Sequence, residues 1–233
     1  MAKESATRTE EVFDSIRRDL LNGQLIPGQR LKAVALAGRF GVSLSVVREA
    51  LTRLTEQGLV VASPQRGFSV MSLSIDDLSD LTQTRIQVES LALRQAIDKG
   101  GVDWEASVVS SCHTLDRTPV NTEDGQFNED WPAAHRAFHQ ALISGCRSPR
   151  LEAIVTGLRD CAELYRRWYW ALTEDQVRNL TEEHRQLRDL ALDQDADKAV
   201  DALTEHIGRA PRKLIAYARE HNLDDPTSRP LET

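Results

Sequence analysis

Apolar positions in the first third of the chain recur three and four apart and then switch to alternation. Val12, Ile16, Leu20 and Leu21 fall at helical spacing, which predicts a helix over 8–22 with Gly23 as its stop. "LIPGQRL" reads as a turn into a second short helix, "KAVALAGRF", closed by Gly41. Ser43 is placed to cap a third helix from Leu44 to Gln57, with Gly58 beyond its end. "LVVAS" and "GFSVMS" are β-prone, and "PQRG" joins them as a hairpin turn. Three helices and a hairpin make a winged helix-turn-helix.

Beyond residue 73 the period becomes helical and stays so. Helices are predicted near 76–98, 103–116, 128–145, 149–172, 176–193 and 196–209, and no β-run of useful length follows the hairpin. "RTPVNTEDGQ" reads as a loop, Pro211 should end or kink the last long helix, and "DDPTSRPLET" reads as a frayed tail. The expected architecture is mainly α. A winged helix-turn-helix occupies 1–73, an all-α helical bundle 74–225 and a tail 226–233.

Charge separates the two parts. Net charge is −7, which taken alone argues against nucleic acid. Residues 1–73 carry ten Lys/Arg and seven Asp/Glu, against nineteen and twenty-nine in 74–233. A basic head on an acidic body suits one nucleic-acid-facing end. All six histidines lie in the acidic body. Three unclustered cysteines (Cys112, Cys146, Cys161) read as reduced thiols, and the N-terminus lacks an apolar signal segment. No stretch approaches the ~18 apolar residues of a membrane span. A cytoplasmic location without membrane contact is therefore expected.

In the third helix Val47, Ala50, Leu51 and Leu54 form the apolar stripe, while Ser45, Arg48 and Thr52 lie opposite. A short polar face of that kind fits the major groove, where Arg donates two hydrogen bonds to a guanine edge. Arg66 and Gly67 sit at the hairpin tip, placed for phosphate or the minor groove. The alternative is a small helical domain with a solvated charged face.

"LLNGQLIPGQRL", "LAGRFGVSLSVVREALTRLTEQGLV" and "PQRGFSV" resemble the winged-helix head of the GntR family of bacterial transcription regulators. The resemblance implies a base or phosphate contact at Arg48 and a wing contact at Gly67. Many relatives have Arg-Thr-Pro where this chain has Leu44-Ser45-Val46, so a different operator is expected.

"HRAFH" puts His135 and His139 at i and i+4 on one helix face, a spacing that suits two ligands of one metal. Arg136 stands where a zinc protease would carry its catalytic Glu. His184 and His206 lie on two later helices, and three helices of a bundle can converge four imidazoles. Isolated histidines on helix surfaces are the alternative.

Residues 76–215 resemble the FCD-type effector domain of the FadR branch of that family, through "DLTQTRIQVESLALRQA", "AAHRAFHQALISGC" and "EEHRQL". Many such domains hold a divalent metal with one Asp and three His. The resemblance puts His139, His184 and His206 on the His positions and His135 on the Asp position, giving a site for Zn²⁺, Ni²⁺ or Co²⁺. Four neutral imidazoles leave the ion's charge intact, which favours an anion. Small carboxylates are the effectors the resemblance implies. Arg85 is the candidate second anchor for one, with an i,i+4 pair to Glu89 as the alternative.

"GGVDWEASVVSSCH" and "HRAFHQALISGCRSPRL" are most similar to the repressors of glutarate and carbon-starvation metabolism, which makes glutarate the first effector to expect. Cys112, His113 and Cys146 in these stretches are expected to pack. In "YRRWYWAL", Trp168, Tyr169 and Trp170 cannot all face one core, so core plus pocket lining is expected. The expected whole is a homodimeric repressor on a palindromic operator, released by its effector. A metal-dependent hydrolase or lyase and a helical interaction module are the rivals. Against the enzyme, no carboxylate accompanies the histidines at the spacing of a general base.

Overall fold

Ile16 and Leu20 are fully buried along one side of α1 (Ala2–Leu21), as their spacing requires. A computed structural model describes residues 2–21, 24–25, 28–72, 74–122, 128, 130–172 and 180–221. The expected stop at Gly23 and the tail from 222 onward lie outside the described residues, as does part of the "RTPVNTEDGQ" loop. α1 packs on α3 (Leu44–Glu56), which in turn packs on α2 (Ala33–Phe40). Val47, Ala50, Leu51 and Leu54 are each fully buried, so the predicted stripe is the core of the head.

Local chemistry explains the ends of these helices. The Ser43 hydroxyl accepts a hydrogen bond from Val46 N and caps α3. Gly41 closes α2 at φ +63° and Gly58 follows α3 at φ +73°, left-handed values that glycine adopts without a Cβ penalty. Arg53 of α3 pairs with Glu10 of α1 and lies over the Phe13 ring at 4.3 Å.

The hairpin forms between β2 (Val60–Ser63) and β3 (Gly67–Val70), antiparallel, with Ser63 opposite Gly67. A further strand, β1 (Arg30–Leu31), pairs with the other edge of β3, so the sheet order is β1-β3-β2. Two residues carry no period that a sequence can display. This strand exists only because β3 offers a free edge to Arg30 and Leu31.

The remaining elements are α4 (Ile75–Lys99), α5 (Val102–Asp116), α6 (Trp131–Ser144), α7 (Pro149–Leu172), α8 (Leu180–Leu192) and α9 (Ala196–Glu220). α9 does not end at Pro211. Leu203, Ile207, Leu214 and Ala218 continue one buried stripe across it. Their burial offsets the ~3 kcal/mol of an interior proline.

The described residues form two compact units. One takes in 2–78, 160–172 and 214–221, and the other 79–159 and 180–213. In the first, Arg17 pairs with Asp160, Cys161 Sγ lies 3.0 Å from Gln57 O, and the Tyr165 hydroxyl donates to Asp77 Oδ2 at 2.6 Å. In the second, α5 packs on α6 and α8. There Trp104 is buried with its indole N–H donating to Ala141 O at 3.0 Å.

Cys112 and Cys146 are buried, as packing residues are, but His113 is exposed because it sits on the solvent face of α5. Trp168, Tyr169 and Trp170 are all buried, together with Tyr165. Consecutive helical residues point about 100° apart, so this turn of α7 is enclosed on more than one side. Among the described residues no helix is long and apolar enough to cross a membrane.

Candidate functional site

The head presents its polar face where the sequence placed it. Ser45, Arg48 and Thr52 are exposed on α3, opposite the buried stripe. Among the described residues no ion pair engages the exposed Arg48 guanidinium. The Thr52 hydroxyl donates to Arg48 O at 2.9 Å within the helix, which leaves it outward only as an acceptor and a methyl group. Ser43 and Ser45 share a hydroxyl hydrogen bond of 2.8 Å.

At the hairpin tip Arg66 and Gly67 are both exposed. Gly67 has φ +82° with open space where a Cβ would stand, so backbone conformation rather than crowding demands glycine there. Arg30, exposed on β1, donates to Arg66 O at 3.1 Å and brings a second cation to the wing. Nothing in the order of residues marks Arg30, because only strand pairing carries it to the tip.

The second unit holds the four histidines named as metal candidates. Helical spacing on α6 sets His135 and His139 one turn apart, with their Nε2 atoms 3.1 Å from each other. α9 brings His206, whose Nε2 lies 3.2 Å from that of His139, and α8 brings His184 with its ring 5.3 Å from the His139 ring. One donor atom from each of the four residues lies within 4.8 Å of the others, and His135, His139 and His184 are buried. Trp131 stacks on His135 at 4.5 Å.

This donor set fits a divalent ion. Zn–N bonds of about 2.0–2.1 Å in a tetrahedron separate the nitrogens by about 3.3 Å, close to the two Nε2 spacings. Imidazole suits Zn²⁺, Ni²⁺ and Co²⁺. The surrounding shell includes a carboxylate that the sequence reading did not foresee. Glu183 Oε2 meets His206 Nδ1 at 2.9 Å, and Arg209 holds the other oxygen. Glu183 precedes His184 in the chain, so nothing in its spacing from His206 announces the pairing.

Arg85 makes the i,i+4 pair, with Nε donating to Glu89 Oε1 at 2.8 Å. Arg159 of α7 donates to the other oxygen through Nε and Nη2 at 2.8 and 2.6 Å. Burial would raise the Glu89 carboxyl, but Arg159 and Arg85 override it and hold the group below the usual glutamate value. Arg159 Nη1 is buried without a hydrogen-bond partner among the described residues. The trio keeps a net positive charge, two guanidinium groups against one carboxylate. Arg159 escaped the sequence reading because seventy residues separate it from Glu89.

Comparison with known proteins agrees with this geometry. Residues 8–70 match the gntR family of bacterial regulatory proteins, and residues 80–209 match the FCD domain. The HTH-type transcriptional regulator BphR of Paraburkholderia xenovorans strain LB400 is 42% identical over 85% of this chain and 81% of its own length. The HTH-type transcriptional repressor GlaR of Escherichia coli K12 is 28% identical over 89% of this chain and 95% of its own. Among solved structures, E. coli McbR/YncC has a TM-score of 0.74 at 22% identity, covering 92% of this chain and 98% of that one, a likeness of fold. A family of DNA-binding regulators leaves no place for the hydrolase or lyase reading. The chain belongs to the GntR family of bacterial transcription regulators, in the FadR branch with an FCD domain, and is a DNA-binding regulator rather than an enzyme.

Proposed function

We propose that this regulator is a homodimeric repressor that leaves a palindromic operator when a small carboxylate binds at a metal centre formed by His135, His139, His184 and His206. The observation that carries the reading is the convergence of four imidazoles from three helices. A divalent ion held there would supply a positive charge that neutral imidazoles do not cancel, in surroundings that favour an anion. The chain's own residues buffer that charge poorly, since Glu183 is already engaged by Arg209. Zn²⁺ is the first ion to test, then Ni²⁺ and Co²⁺. Arg85 and Arg159 supply the second anchor, through guanidinium donors that Glu89 does not engage, Arg159 Nη1 among them. Glutarate is the first carboxylate to test.

On the DNA side, Ser45, Arg48 and Thr52 enter the major groove while Arg66 and Gly67 approach the backbone or minor groove. A helix-turn-helix head reads a two-fold site as a dimer, so half-sites one DNA turn apart are expected. The repressor sense follows GlaR, named a repressor. Function on DNA places the protein in the cytoplasm. Shifting operator occupancy from 99:1 to 1:99 requires about 5.5 kcal/mol of differential affinity, which two effector sites per dimer share.

A gel shift on the DNA upstream of the gene, with metal-loaded protein and a panel of carboxylates, tests the whole reading. Retardation that a dicarboxylate relieves supports it. Retardation that no carboxylate alters, or that chelation leaves fully responsive, overturns the effector and metal parts. Retardation strengthened by the effector overturns the repressor-release sense.

A further inference from the structure

We infer that Glu183 is the outer-sphere carboxylate of the histidine centre, the positioning residue that fixes His206 as a donor through Nε2. This rests on the metal-centre reading above and adds a residue outside the four-histidine set. Glu183 Oε2 lies 2.9 Å from His206 Nδ1, so Nδ1 carries the ring proton and donates it to the carboxylate. A neutral imidazole has one N–H, which leaves the lone pair on Nε2. That Nε2 is the atom 3.2 Å from Nε2 of His139, inside the cluster. The His206 side chain is only 9% exposed, so bulk water competes poorly for Nδ1.

The other side of Glu183 is equally committed. Arg209, one turn beyond His206 on α9, holds Oε1 and keeps the carboxylate from swinging inward. Glu183 and His184 are neighbours on α8, one meeting the outer edge of the His206 ring and the other joining the cluster. A carboxylate on the far nitrogen orients the ring and raises the basicity of the ligating one. Removing such a partner weakens metal binding about 10–100-fold.

The test is competition for Zn²⁺ against a chromophoric chelator, together with visible absorption of the Co²⁺-loaded protein. Wild type, Glu183→Ala and Glu183→Gln are compared as full-length chains. Glu183→Ala is expected to bind about 10–100-fold more weakly, with an altered Co²⁺ spectrum. Glu183→Gln keeps the shape and an acceptor for Nδ1 but loses the charge, and is expected to fall about tenfold. A merely structural role would move the melting temperature of the chelated protein and leave the Co²⁺ spectrum unchanged, and that pattern overturns the inference. So does wild-type affinity in both variants. If Glu183→Ala does not fold, Glu183→Gln decides alone, with wild-type affinity the overturning result. Wild type that binds neither metal overturns the metal-centre reading itself, a result visible before any variant is made.

Discussion

Nε2 of His139 on α6 lies 3.2 Å from Nε2 of His206 on α9, 67 residues further along the chain. Two neutral imidazoles at that distance form at most one hydrogen bond, whereas a shared metal accepts both lone pairs. Native protein is therefore expected to carry a divalent ion. His139→Ala and His206→Ala should each lose most of it by elemental analysis, along with the metal-dependent rise in melting temperature. Metal-free native protein that still answers its effector would end this account of the centre.

The exposed Arg48 and the wing cation Arg30 should respond differently to substitution. Arg48→Ala is expected to cost about 1–3 kcal/mol of operator affinity and to relax the preference at one base position. Arg30→Ala should weaken all sequences alike and lower the salt slope by about one. Gel shifts over a salt series on operator and unrelated DNA separate the two. Equal operator affinity in wild type and Arg48→Ala removes Arg48 from the interface.

The buried Glu89 makes stability depend on acid. Its carboxyl is held below the usual glutamate value, so the contribution is present above the unfolded value of about 4.3 and is lost as pH falls through the folded value. Glu89→Gln leaves Arg85 and Arg159 buried without their carboxylate, at about 3–5 kcal/mol near neutrality. Melting temperatures between neutrality and pH 3 should show a gap between wild type and variant that narrows on the acid side. A gap constant with pH would contradict the pairing.

Gly145 is a packing position. A Cβ there would stand 2.8 Å from Ala96 O and 3.0 Å from the Trp104 ring, and neither gives way easily, because the indole is tied to Ala141 O. Gly145→Ala is expected to lower stability by about 1–3 kcal/mol without changing metal content. Denaturant titration measures it.

The acid end of Tyr165 gives one more measurable coupling. Burial and the Asp77 carboxylate push its phenol well above the ordinary value, and the hydroxyl is bound to Asp77 at 2.6 Å. Tyr165→Phe leaves Asp77 without that donor and should cost about 1.5–3 kcal/mol, read as a lower urea midpoint with an unchanged m-value.

What the order of residues determined by itself is whatever repeats within a few positions. The α3 stripe of Val47, Ala50, Leu51 and Leu54, the Ser43 cap and the His135–His139 pair all follow from the 3.6-residue turn and from short side-chain reach. Tertiary structure alone decided the rest. β1 exists because β3 has an edge to pair, and α9 passes Pro211 because Leu214 and Ala218 are buried beyond it. Arg159 joins Glu89, and Glu183 meets His206, across spans that carry no periodic signal. Contacts between distant residues are set by how helices pack, and the free energy of that packing belongs to the assembled fold rather than to any window of the chain.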